Sequence, residues 1–252
     1  ACGNWYLSIG YKKSGASMIS KTAQKLLDTG LAQFGLVIDE HQMHQIHQYL
    51  KVLIQWNKTF NLTAIRDPDD MVVHHLLDSF AIQPFLKAHL LSGSTELGVF
   101  EGIAGGACLD LGSGAGVPGV PLAILNPSSQ WILVDSNGKK TRFLGQVIRE
   151  TQLKNVTVIH GRIENMQLDA DLPRPLLITA RALASAQAVL ELVAPSVHPA
   201  DRILLMKGVK GLDESKCVVD GFLPFEVHSI KVPFLDAERC LLSTEYVGTP
   251  EL

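Results

Sequence analysis

The chain has 252 residues, 46% of them hydrophobic and 19% charged, the balance of a globular protein long enough for one sizeable α/β core with an appendage or for two small domains. A net charge of −3 and a pI near 6.3 exclude gripping nucleic acid by bulk charge, so any such contact must be a local patch. No apolar run reaches the ~18 residues of a membrane span. The four cysteines, Cys2, Cys108, Cys217 and Cys240, lie far apart, with no C-x-x-C pair and no histidine at zinc-ligand spacing. The pattern predicts no disulfide framework, no structural metal and a reducing cytoplasm.

Residues 1–17 place Lys12-Lys13 after their modest apolar content, the reverse of a signal peptide's order. Met18 reads as a natural start, and 1–17 as an extension or a cloning remnant. From Lys21 to Leu36 the positions Leu26, Leu27, Leu31 and Phe34 keep helical spacing, weakened by Gly30. A clearer helix follows, with Asp39 at the N-cap and Gln42 completing a capping box. Met43, Ile46, Leu50, Leu53 and Ile54 form its apolar stripe, which reads as core packing, and Trp56, Phe60 and Leu62 close it. His41, His44 and His47 share one face of that helix and read as structural histidines. Asp67-Pro68-Asp69-Asp70 starts another helix, with a cap, a proline in the first turn and two carboxylates at the positive end of the dipole. It continues through Phe80 toward Pro84. The glycine-rich stretch 92–106 reads as a long connection between a helical part, 18–91, and a sheet domain, 107–252.

The sheet domain opens on Leu109-Asp110-Leu111-Gly112-Ser113-Gly114-Ala115-Gly116-Val117-Pro118-Gly119. Apolar residues around Asp110 predict a strand, the alternate glycines a turn, and Val117 to Leu125 a helix with Pro118 in its first turn. Such a loop lets a ligand approach without a Cβ in the way and aims helix N–H groups at it. A dinucleotide fingerprint requires G-x-G-x-x-G, and Val117 occupies the third glycine position. The next strand, Gln130 to Asp135, ends in a carboxylate. At that strand end Asp135 can accept both hydroxyls of a ribose, or can cap the helix that follows.

Further strands are predicted at Val156–His160, Leu176–Thr179 and Ile203–Met206, with a helix at Ser185–Val197. Phe225–Val232 and Cys240–Val247 form a closing antiparallel pair. The alternation predicts an α/β fold, a seven-stranded, mostly parallel sheet with helices on both faces, plus the N-terminal helical part.

The glycine loop, the acidic strand end and the terminal antiparallel pair together resemble the Rossmann-like class I S-adenosylmethionine methyltransferases. The flanking motifs narrow the resemblance. Trp56-Asn57-Lys58, Phe60-Asn61-Leu62-Thr63, His75-Leu76-Leu77-Asp78-Ser79, Asp135-Ser136 with Lys139-Lys140 and Arg142-Phe143-Leu144, Thr179-Ala180-Arg181-Ala182, Lys207-Gly208, Val232-Pro233 and Glu238-Arg239 resemble the small-subunit (16S) ribosomal RNA guanine-N7 methyltransferases (RsmG, also called GidB). The likeness runs in order from about Leu26 to Val247. It departs before Met18 and in the long 92–106 stretch. It implies S-adenosyl-L-methionine as cofactor, small-subunit ribosomal RNA or the small ribosomal subunit as partner, and cofactor contacts at Gly112, Val117, Ile163, Glu164 and Arg181, to which the reading of the loop and the strand end adds Gly114, Gly116 and Asp135.

Methyl transfer from a sulfonium is an in-line displacement that rests on alignment. Thr179-Ala180-Arg181-Ala182 lacks both the Asn/Asp-Pro-Pro-aromatic signature of amine methylation and a cysteine nucleophile. Guanine N7 carries a free lone pair and needs no general base, and no catalytic residue is assigned beyond Arg181, a candidate for holding the cofactor carboxylate or an RNA phosphate. Lys139, Lys140, Arg142, Lys207 and Lys210 are expected to cluster at the strand ends and bind RNA phosphates, with Lys51, Lys58 and Arg66 a second patch. Asn61 and Asp78 can tie the helices to the sheet. A small-molecule methyltransferase and a non-catalytic ribosome-associated factor are the competing readings.

Overall fold

The computed structural model describes residues 19–86, 107–166, 172 and 174–249; the predicted extension 1–17 and connection 92–106 lie outside them. Helix α1 (Lys21–Gln33) begins at the Ser20 cap. In α2 (Glu40–Phe60) both halves of the predicted capping box form, the Gln42 amide donating to Asp39 and the Gln42 side chain accepting from the Asp39 N–H. Asp67 caps Pro68–Met71 with proline in the first turn. That helix widens into π-helical Val72–Leu77 and ends as Asp78–Phe80; the three segments together are α3.

Seven strands follow: β1 (Ala107–Leu111), β2 (Gln130–Asp135), β3 (Val156–His160), β4 (Leu177–Arg181), β5 (Arg202–Lys207), β6 (Glu226–Ile230) and β7 (Arg239–Glu245), in spatial order β3-β2-β1-β4-β5-β7-β6. The first five pair in parallel and β7 runs antiparallel to both β5 and β6. The order reverses between β1 and β4, which opens a crevice beyond their carboxyl ends. α4 (Gly119–Leu125) and α5 (Gly138–Thr151) cover one face, α6 (Ala186–Val193) the other, and the short α7 (Gly211–Glu214) follows β5.

Two helical predictions are corrected. Pro118 stands outside α4 as its N-cap residue. The helix after β4 ends at Val193, and Ala194–Ser196 tightens to a 3-10 turn because Pro195 cannot continue the α-helical ladder.

The helical part does not stand apart from the sheet. Leu27, Ile46, Tyr49, Leu53 and Phe80 share one buried cluster with Val120, Phe143, Leu144 and Val147. Trp56 packs on Phe143 with ring centroids 5.9 Å apart, Gln45 donates to the Thr151 carbonyl and Gln42 to that of Ile124. Asn61, by contrast, does not reach the sheet. It ends α2 in the left-handed conformation and accepts from Arg66.

Candidate active site

Gly112, Gly114 and Gly116 all have positive φ, at 67°, 56° and 88°, so the loop after β1 takes a path that L side chains resist. Its amides serve the protein itself. Gly112 and Ser113 donate to the Val134 carbonyl, Gly116 and Val117 to that of Ser113, Gly114 to Asp135 Oδ2 and Gly119 to Asp110 Oδ2. The expected row of N–H groups aimed at a ligand is therefore replaced by an internally braced loop that offers close approach instead of an anion cradle. Gly119 supplies the close helix–strand contact: a Cβ there would stand 2.3 Å from Leu133 and 2.7 Å from Asp110 Oδ2.

Asp135 is buried at the tip of β2, and the cap of α5 is Asn137, so the capping alternative for Asp135 falls away. Asp135 Oδ2 accepts from Gly114 and Oδ1 from the Asn137 amide, with Lys140 Nζ 3.9 Å away. Each carboxylate oxygen keeps a lone pair for a hydroxyl. Ile163 is buried and Glu164 exposed in the 3-10 turn (Ile163–Asn165) beyond β3.

Beneath the loop lies Asp110, fully buried, accepting from Gly119 and from the Thr179 hydroxyl. Burial pushes its carboxyl up to about 7 against those hydrogen bonds and the charge of Arg181. From α2, the buried Tyr49 hydroxyl donates to the Ala115 carbonyl at 2.8 Å and pins the loop; burial holds that phenol far above its ordinary value. The apolar stripe gave no signal of this contact.

Across the crevice, β4 and β5 end in a cavity of about 470 Å³ lined by Asp78, Arg181, Leu183, Lys207, Glu214 and Arg239 among others, within the roughly 300–1,000 Å³ of small-molecule sites. Arg181 donates to the His74 carbonyl at 2.8 Å and pairs with Asp78 Oδ2 at 2.9 Å, while Arg239 Nε reaches Asp78 Oδ1 at 3.1 Å. Asp78 thus ties helix to sheet as expected. The π-helical turn places His75 in the core, where no described group bonds either ring nitrogen. Burial and the charge of Arg181 lower its pKa to about 4. Leu183 separates the cavity from the loop, its Cδ1 2.6 Å from where a Gly112 Cβ would sit.

A family model described as rRNA small subunit methyltransferase G (GidB) matches residues 42–242. The ribosomal RNA small subunit methyltransferase G of Stutzerimonas stutzeri is 39% identical over 226 residues, 90% of this chain and 97% of its own. That of Xanthomonas oryzae is 40% identical over 195 residues, 77% and 82%. The chain belongs to the rRNA small subunit methyltransferase G family. A crystal structure titled a putative O-methyltransferase from Klebsiella pneumoniae, 10% identical, superposes with a TM-score of 0.51 over 90% of this chain and 99% of that one, and shows the shared fold.

For a methyltransferase G chain, the predicted basic cluster comes apart. Lys139, Lys140 and Arg142 sit on α5 beside Asp135, with Arg142 turned back onto the Gly138 carbonyl. Lys207 ends β5 and Lys210 follows it, three strand spacings away, roughly 14 Å. Lys207 donates to the Ala184 carbonyl and to Glu214, so it is a wall of the cavity, while Lys210 is exposed. Among the described residues no group of histidine, cysteine and carboxylate can hold a metal, and no helix is long and apolar enough to cross a membrane. His47 bonds Gln24.

Proposed function

We propose that the protein transfers the methyl group of S-adenosylmethionine to N7 of a guanine in small-subunit ribosomal RNA, in the cytoplasm. The observation that carries this reading is the juxtaposition of two unlike sites at the sheet's switch point. One is an internally braced glycine loop beside a carboxylate with lone pairs to spare; the other is a cavity walled by Arg181, Lys207 and Arg239. The first suits an adenosyl ligand that carries no phosphate, and the second, whose cations are paired with Asp78 and Glu214, a polar nucleotide that brings both donors and acceptors.

The cofactor supplies an electrophilic methyl on a sulfonium. Asp135 takes the ribose hydroxyls, Gly112, Gly114, Gly116 and Val117 give backbone approach, and Ile163 and Glu164 border the base. Arg181, braced by Asp78, holds a carboxylate or a phosphate at the boundary between the sites. Guanine N7 would attack the methyl carbon with its own lone pair as the carbon–sulfur bond breaks and neutral S-adenosylhomocysteine leaves, so the residues contribute alignment and exclusion of water, and no base is required at the reacting atom. N7 faces the deep, narrow groove of A-form RNA, so the target base has to be unpaired or displaced to enter the cavity.

The test is transfer of labelled methyl from S-adenosylmethionine to small subunits that lack the modification, with the Gly114→Asp variant as control. A Cβ on Gly114 meets no atom closer than 3.6 Å, and aspartate adopts the left-handed conformation more readily than most L residues, so the variant sets a carboxylate against Asp135, and circular dichroism checks that it folds. Labelled 7-methylguanosine from the parent and at least tenfold less from the variant is expected. Label in another nucleoside, or none from a parent that binds the cofactor, overturns the reading.

A further inference from the structure

The two carboxylates of the cavity differ in what they have left to offer. Both oxygens of Asp78 are taken by Arg181 and Arg239. Glu214, on α7, uses one: Oε2 accepts from the Lys207 ammonium at 2.8 Å and from the Ala186 amide at 2.7 Å. Those two donors fix the carboxylate while its side chain remains 27% exposed, and among the described residues nothing bonds Oε1. Partial burial draws the Glu214 carboxyl upward. The bonds from Lys207 and Ala186, with the charges of Lys207 and Lys210, outweigh it and hold the group below its ordinary value. At neutral pH Glu214 is an acceptor only.

β4 stands between β1, which bears the glycine loop, and β5, which leads to α7. Glu214 is therefore on the side of the cavity away from the loop. A guanine that turns N7 toward the cofactor turns its N1–H and N2 amine the opposite way. We infer that Glu214 is the specificity-determining residue for guanine, its free Oε1 accepting from N1–H and the N2 amine of the target base. The inference rests on the methyl-transfer reading above. Adenine brings a lone pair at N1 and no amine at C2, so it meets the same oxygen with repulsion and leaves it unpaired. In a Glu214→Gln variant the amide oxygen has to face Lys207 and Ala186, both donors, which turns the NH2 toward the base and reverses the preference.

The experiment saturates the protein with S-adenosylhomocysteine, so that adenine nucleotides cannot enter the cofactor crevice, and titrates guanosine, inosine and adenosine 5′-monophosphates by calorimetry. The parent is expected to bind the guanine nucleotide best, the hypoxanthine nucleotide, which keeps N1–H but lacks the amine, about tenfold more weakly, and the adenine nucleotide more weakly still. Glu214→Gln is expected to lose the guanine preference or favour adenine, with unchanged affinity for S-adenosylhomocysteine. Equal binding of the three nucleotides by the parent, no binding of any, or uniform weakening in the variant overturns the assignment. If that happens while the parent forms 7-methylguanosine on small subunits, Glu214 loses its role and the reaction stands; a parent that forms none removes both.

Discussion

Asp110 and His75 both feel the charge of Arg181, and their protons answer pH in opposite directions. An unfolded Asp110 loses its proton near 3.8 and the folded one near 7, so its contribution to stability is complete below the first value and is lost as pH rises to the second. An unfolded His75 takes a proton near 6.5 and the folded one near 4, so its contribution is present above 6.5 and is lost as pH falls to 4. Between about pH 4 and 6.5 the two slopes oppose each other. Asp110→Asn should expose the histidine slope, with stability rising by up to about 1.4 kcal/mol per pH unit across that window. His75→Phe should expose the carboxyl slope, with stability falling as pH rises. Urea unfolding at half-unit steps measures both, and profiles parallel to the parent's in both variants would refute the pairing.

At the scale of elements, α2 both packs the sheet and fastens the glycine loop through one hydroxyl. Tyr49→Phe keeps the ring in the core but leaves the buried Ala115 carbonyl without its donor, at a cost of about 1–3 kcal/mol. S-adenosylhomocysteine affinity should fall severalfold because the loop loses its brace, and calorimetry beside denaturant unfolding separates the two effects. Unchanged affinity with lowered stability would mean that the loop holds its shape from the sheet side alone. The same helix shows what was legible in its sequence. Its capping box is local, three residues apart, and could be read directly; the Tyr49 contact spans 66 residues, and a tyrosine near an apolar stripe looks like any other core residue. β2 and β3 were readable for a similar local reason, as short apolar runs with residue-level limits. The end of α6 was missed because Pro195 sits in an otherwise helical pattern.

At the scale of the whole molecule, the fold decides which charges can act together, and spacing along the chain does not. Asp78 and Arg181 are 103 positions apart and Lys207 and Glu214 seven, yet both pairs close the same cavity, an outcome set by the strand order. The five lysines and arginines expected as one patch divide because β1 and β4 stand between their strands. With a net charge of −3, RNA affinity has to come from few cations, and Lys139 and Arg142, both exposed on α5, are two that can meet phosphates, Arg142 by giving up the Gly138 carbonyl. Each neutralised phosphate contributes about 0.7–0.9 to the slope of log affinity against log salt. Lys139→Gln combined with Arg142→Gln should therefore flatten that slope by about 1.4–1.8 for binding to small subunits. It should also raise KM for subunits while leaving kcat at saturation unchanged, because neither side chain reaches into the cavity between β4 and β5. A slope equal to the parent's would move the phosphate contacts off α5, to Lys51, Lys58 and Arg66, which are also exposed.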